Sequence, residues 1–364
     1  MNLSFSQIVI IIMTIFMILG GIDRMTHGKL KLGLQDSFNE GFEALGALAL
    51  SMLGILALAP AMVNIVMTLV GPVYNFIGAD PAMFAGTLLG CDMGAYPLAK
   101  EMADNSEVYQ FSGLILASQL GAIISFTIPV GIGIIEEEDI QYFAKGILFG
   151  TITIPIGAFA GGLAACFDIG MLLINSVPTI VISILIALGI KFIPNGIIKG
   201  FNIFGKFIIS LITFGLICAA IEALIGIQII KGMAPISEGF VVIGNIAIVL
   251  AGAFPLLHLI TRVFSKKFEQ IGEKIGVNAA SVAGLVACLA NAIPMMTSFK
   301  NMDERGKVIN SAFAVSGAFI LGDHLAFVAS VDREMIGPVI VAKAIGGITA
   351  VLLAYFAMKK PKLA

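Results

Sequence analysis

The sequence predicts an all-α polytopic membrane protein, and three observations carry that prediction. Hydrophobic residues make up 59% of the 364 and charged residues only 12%, against about 25% charge in a soluble domain. The mean hydropathy is +1.03. The apolar residues are gathered into runs at 8–22, 146–165, 169–190 and 338–358, which as helices reach, or nearly reach, across a hydrocarbon core of about 30 Å. None of these runs alternates apolar with polar residues, as membrane-barrel strands of roughly 10 residues would.

In chain order, residues 8–22 form the first expected crossing. No Lys or Arg precedes the run, no small-x-small site follows it, and Arg24, Lys29 and Lys31 come after it, so it is not expected to be a cleaved signal peptide. Lys and Arg gather in cytoplasmic loops, which places that loop inside and the N-terminus outside. Residues 60–76 are apolar enough for another crossing, but the matching stretch 259–274 is charged and amphipathic. Both are therefore expected to extend helices or lie on the surface. Residues 84–101 are apolar yet broken by Gly90, Gly94 and Pro97, the residue types that let a membrane helix unwind and line a cavity. The run Glu136-Glu-Glu-Asp139 reads as a solvated loop. Glycines at 157–162 suit close helix packing and are no phosphate loop, because no Lys-Ser/Thr follows. A second broken apolar segment, 283–294, lies nearly 200 residues after the first.

An internal repeat relates the two breaks. A shift of 198 residues aligns Glu40-Gly-Phe42 with Glu238-Gly-Phe240, Glu136 with Glu334, and Ala144-Lys145 with Ala342-Lys343. Glu and Lys are scarce in this chain, so these matches weigh more than the many Ala, Ile and Gly identities. The expected division is a first repeat at 1–165, a linking helix at 166–198 and a second repeat at 199–364. The loops bearing Lys191, Lys199 and Lys206, and Arg262, Lys266, Lys267 and Lys274, share one side with the first basic loop and with Lys359, Lys360 and Lys362 only if segments 82–99 and 279–297 are re-entrant. That reading gives nine crossings, four per half plus the link, and makes the repeats inverted. Eleven is the alternative count.

Charged and polar groups at membrane depth mark substrate or ion pathways by default. Asp92 sits centrally in the first break, and Tyr96, four residues on, adds a ring and a hydroxyl; an ammonium is attracted to both a carboxylate and an aromatic face. The bland alternative for Asp92 is a hydrated acid at the mouth of a hairpin. Asn291 lies one or two positions from the equivalent place in the second break. Its amide can both donate and accept, or it can simply satisfy its own backbone. Asp323 and His324, adjacent within 312–330, would point about 100° apart on a helix. One can bind while the other gates or shuttles protons, or the pair can tie two helices together. Glu43 and Glu222 read as helix-end residues, and His258 as structural.

Cys91, Cys166, Cys218 and Cys288 form no C-x-x-C and read as small buried residues, so neither a metal nor another cofactor is expected. Net charge is near zero with no basic tract, which argues against nucleic acid as a partner. Small-xxx-small patterns occur throughout and single out no interface, leaving a homo-oligomer open.

Two segments also resemble a known family. Pro81-Ala-Met-Phe-Ala-Gly-Thr-Leu-Leu-Gly-Cys-Asp-Met-Gly, followed by Leu98-Ala-Lys-Glu101, is similar to the signature of the bacterial ethanolamine permease (EutH-like) family of ethanolamine-utilisation operons. Ala290-Asn-Ala-Ile-Pro-Met295, Met302-Asp-Glu-Arg-Gly-Lys307 and Leu321-Gly-Asp-His324 resemble its C-terminal half. The resemblance implies a multi-pass inner-membrane permease that brings ethanolamine in for catabolism, and no enzyme. It supplies no ligand assignments, so Asp92, Tyr96, Asn291, Asp323 and His324 stand as candidates on the physical reading alone. A permease for another small cationic amine, the membrane subunit of an ion-translocating complex, and an intramembrane enzyme built on Asp323-His324 are the alternatives.

Overall fold

The computed structural model describes residues 3–29 and 31–358; the basic tail Lys359, Lys360 and Lys362 lies outside the described residues. Every regular element among these residues is helical. Helix α1 (Phe5–Met25) begins in a capping box, with Ser4 and Gln7 satisfying each other's backbone N–H groups. Near its end the buried Asp23 accepts hydrogen bonds from Leu34 N at 2.9 Å and Gln35 N at 3.1 Å. That carboxylate caps α2 (Gln35–Glu43), which passes almost directly into α3 (Leu45–Phe76).

Residues 60–76 extend α3 without a break despite Pro60 and Pro72, and 259–274 likewise continue the long helix Ile236–Ile275. After α3 comes the first broken segment: α4 (Met83–Leu88), a tight turn at Cys91–Met93, and α5 (Ala95–Met102). Next, α6 (Ser106–Gln110) continues through wide π-helical turns, Phe111–Gly121 and Ile123–Thr127, into α7 (Ile128–Ile134). Then follow α8 (Ile140–Ala164), α9 (Ile169–Phe192), α10 (Pro194–Ile225) and α11 (Ile236–Ile275). The second broken segment is α12 (Ala279–Cys288) and α13 (Ala292–Thr297). The chain ends in α14 (Glu304–Ser316), α15 (Asp323–Val331) and α16 (Ile336–Ala357).

Among the described residues, eight helices are long and apolar enough to cross a membrane, with α2 and α3 together forming one of them. The region of α14 and α15 is not among the eight because residues 317–322 divide it into two short helices. Side chains such as Ile180, Val181, Ile184 and Leu185 on α9, and Ile203, Phe207 and Ile209 on α10, stay exposed, as a lipid-facing perimeter requires. The centre belongs to α8, α14, α16 and the π-helical stretch, whose residues 111–125 are buried.

Each broken segment begins and ends at one place. Asn278 donates from its backbone to Asp303 at 2.8 Å and from its side chain to the carbonyl of Asn301 at 2.9 Å, closing the second hairpin. At the first, Asp80 and Asp104, at the two ends of the segment, lie near each other.

Two expectations need correction. Asp139 is not a solvated loop residue: only 4% exposed, it pairs with Lys307 of α14, whose Nζ lies 5.7 Å from the Tyr142 ring centre. It begins α8, where a lysine from the neighbouring helix reaches it. Cys166 is exposed, in a left-handed turn (φ 59°) after α8, so of the four cysteines only Cys91, Cys218 and Cys288 are buried.

Candidate functional site

The site forms where the two broken segments approach the divided helix. Gly94 adopts φ 99°, and a Cβ there would run into Ile55 of α3. This position turns the chain between Asp92 and α5. We predict that Gly94→Ala lowers the melting temperature of the purified protein, because backbone strain of about 1–3 kcal/mol adds to the overlap. A variant with wild-type melting would show that the turn is not needed.

Neighbouring elements pin both breaks. Ser125 accepts from Gly90 N at 3.1 Å and donates to the Gly121 carbonyl at 2.7 Å. In the second break, Phe319 N donates to the Cys288 carbonyl at 2.9 Å and Leu321 N to the Leu289 carbonyl at 2.8 Å. Close approach is obligatory at both: a Cβ on Gly121 would meet the Leu89 carbonyl, and one on Gly322 the Ala290 carbonyl. Backbone groups freed by the breaks are thus re-satisfied by protein, as hydrocarbon surroundings demand.

A cavity of about 390 Å³ opens between these elements, within the size range of small-molecule sites. Asp92, Asn291, Asp323 and His324 all line it. Glu40 and Glu43 of α2 add two more carboxylates, both exposed, while Phe126, Phe254 and Phe319 contribute rings. Among the described residues no Lys or Arg lines this cavity. A second cavity, of about 460 Å³, shares Glu40, Phe254, Asn291 and Ile293 with it and continues past His258 and Thr261. Glu43 and His258, read from sequence as a helix-end residue and a structural histidine, therefore both face cavities.

Tyr96 does not line the cavity. Its ring packs edge-on against Tyr109 (5.8 Å) and Phe327 (6.1 Å). Four-residue spacing shares a face only along an unbroken helix, and the left-handed turn at Gly94 intervenes. Asn291 caps α13, with its Oδ1 accepting from Ile293 N at 2.8 Å. Its amide oxygen is thus occupied, and its NH₂ remains to donate.

Asp92 has 20% of its side chain exposed, and its Oδ1 lies 3.8 Å from His324 Nε2, too far for a hydrogen bond. His324 is 3% exposed, and the Phe319 ring lies tilted against it at 4.7 Å. Its Nδ1 is 3.1 Å from Nζ of Lys343, which also donates to the Ser118 carbonyl at 2.7 Å. Lys343, 1% exposed in the middle of α16, is the residue that sequence reasoning missed. The signal was available: apart from Lys359 and beyond, Lys343 is the only charged residue after Glu334, within an apolar run, and an isolated intramembrane charge is a functional candidate.

Cys91, Asp92 and His324 bring three potential metal ligands within 4.8 Å of one another. The ammonium of Lys343 opposes that use. By donating to Nδ1 it leaves the imidazole proton on Nε2, the nitrogen that faces Asp92, and it places a positive charge beside any incoming cation.

A family model described as "Ethanolamine utilisation protein, EutH" matches residues 5–357. "Probable ethanolamine permease EutH" of Listeria monocytogenes is 51% identical, over 99% of this chain and 97% of its own length. The protein of the same name in Escherichia coli is 44% identical over 98% of this chain and 97% of its own. "Uncharacterized protein YxeR" of Bacillus subtilis is 45% identical over 96% and 94%. No solved structure matches the chain.

Proposed function

This chain belongs to the EutH family of ethanolamine utilisation proteins, and from that premise we propose that it is a permease carrying protonated ethanolamine into the cytoplasm. The observation that supports this reading best is the cavity itself: four carboxylates, Glu40, Glu43, Asp92 and Asp323, and no lysine or arginine among the described residues that line it. Such a wall favours a small cation. Asp92 takes the ammonium, because among the described residues no other side chain hydrogen-bonds its carboxylate, and a charge-assisted bond is the strong kind. The rings of Phe126, Phe254 and Phe319 add cation–π attraction at the margin. The free NH₂ of Asn291 donates to the alcohol oxygen. Tyr96 supports the Asp92 turn from behind.

The supporting test is uptake of labelled ethanolamine by proteoliposomes, with protein-free vesicles as the blank. Protein-dependent uptake is expected, with competition by other small amines and none by ethylene glycol. Uptake no greater than in protein-free vesicles would sink the reading.

The same proposal places the protein in the bacterial inner membrane as two inverted repeats, 1–165 and 199–364, around the linking helix of 166–198. It counts nine crossings, the ninth being the divided stretch of α14 and α15. Both hairpins then enter from opposite sides and return. Lys100 and Lys300 are exposed, so single cysteines there, in a background lacking exposed Cys166, report the topology. Impermeant maleimide on intact cells is expected to label position 100 and spare position 300. The reverse pattern would discard the re-entrant model.

A further inference from the structure

We infer that Lys343 is the exchangeable cation of this permease: it gives up one proton when a substrate ammonium settles on Asp92 and regains it when the substrate leaves. The inference rests on the permease reading and adds to it the stoichiometry of transport.

Geometry supplies the path. Lys343 Nζ donates to Ser118 O at 2.7 Å and lies 3.1 Å from His324 Nδ1, to which a protonated Nζ can only donate, and His324 Nε2 faces Asp92 Oδ1 at 3.8 Å. The imidazole therefore stands between the ammonium and the carboxylate, with its own proton on the cavity side. Among the described residues no carboxylate lies within 4.0 Å of Lys343 Nζ. Its counter-charge is Asp92, across the ring. The other titratable groups around this centre are the thiols of Cys91 and Cys288, and Asp323, Glu40 and Glu43 on the cavity wall. The π-helical stretch presents only the Ser118 carbonyl, and Phe319 covers the imidazole face.

Charge balance supplies the reason. With Lys343 protonated and Asp92 ionised, the buried centre is neutral. A substrate ammonium on Asp92 would leave a second cation uncompensated, and an unpaired buried charge is the costly state. Release of one proton restores neutrality. The N–H bond at Lys343 Nζ breaks as one forms at His324 Nδ1, and the N–H bond at Nε2 breaks as its proton passes to cavity water. His324 ends neutral with its proton on Nδ1, which now donates to the neutral amine of Lys343. Substrate departure runs these steps backward. Inward ethanolammonium is then exchanged for an outward proton, and no net charge crosses.

Two measurements test this. Calorimetry of ethanolamine binding at pH 8, in buffers of different ionisation enthalpy, is expected to show about one proton released per ligand for the wild type and none for Lys343→Met. In proteoliposomes, wild-type uptake is expected to ignore an imposed potassium diffusion potential. Lys343→Met is expected to become electrogenic, accumulating substrate about tenfold for each ~60 mV, inside negative. Lys343→Arg keeps the charge and cannot release it, so it is expected to bind ethanolamine at least tenfold more weakly, again without proton release; this covers the case in which the methionine variant fails to fold. Wild-type binding without proton release, or wild-type uptake that follows the potential, would overturn the exchange while leaving the permease reading intact. Absence of wild-type ethanolamine binding and uptake would overturn both.

Discussion

Asp92→Asn is expected to lower ethanolamine uptake at sub-saturating substrate by roughly 10- to 100-fold while the protein still reaches the membrane. The substitution is nearly isosteric, among the described residues no side chain hydrogen-bonds the carboxylate, and Lys343, left without its counter-charge, can shed its proton, so the fold loses little. What it loses is one charge-assisted contact to the substrate ammonium, and such bonds contribute about 1.5–3 kcal/mol. Asp92→Glu keeps the charge and is expected to retain part of the activity. The measurement is initial uptake of labelled ethanolamine normalised to membrane-inserted protein. Unchanged uptake in the Asn variant would move the ammonium to Asp323, which lines the same cavity.

The second large effect concerns stability. Lys307→Met is expected to destabilise the protein by about 3–5 kcal/mol, because it leaves Asp139 buried without its cation. Both side chains are nearly inaccessible, 11% exposed for Lys307 and 6% for Asp139. Removing both charges, as Lys307→Met with Asp139→Leu, is expected to recover most of the loss, since an apolar pair of similar volume needs no compensation. Thermal melting of the purified single and double variants distinguishes the cases. A double variant no more stable than the single one would show that the pair does more than balance charge.

Much of this architecture is written in local sequence. Apolar runs became helices because hydrocarbon surroundings leave the backbone few alternatives. The glycines and prolines at 90–97 marked a break, and Asn291 caps the helix that follows the second one. Four of the five candidate residues face one cavity. The misreadings share a cause, which is that side-chain direction and long-range convergence are not local properties. Tyr96 was placed by helical spacing that a left-handed glycine interrupts. Glu43 sits near a helix end, and whether such an acid reaches solvent or lines a cavity depends on how α2 is set, which buried Asp23 determines from another helix. Asp139 looked solvated among three other acids, and only the fold brings Lys307 to it. Lys343 served as a register mark for the repeat, yet its partner at that register, Lys145, is exposed on α8 while Lys343 is buried.

The two joined cavities have a consequence for voltage. In the proposed topology they carry cytoplasmic water to the centre of the bilayer, so little of the transmembrane potential falls across them. The drop concentrates in the thin layer beyond Asp92, where Tyr96, Tyr109 and Phe327 interlock. A field focused on so short a distance does work of about 2.3 kcal/mol per 100 mV on any unit charge that passes. A carrier whose moving centre is neutral in every state, loaded or empty, feels none of it. Such a protein would work at the same rate with and without a transmembrane voltage, its direction set by the amine gradient and the pH difference alone.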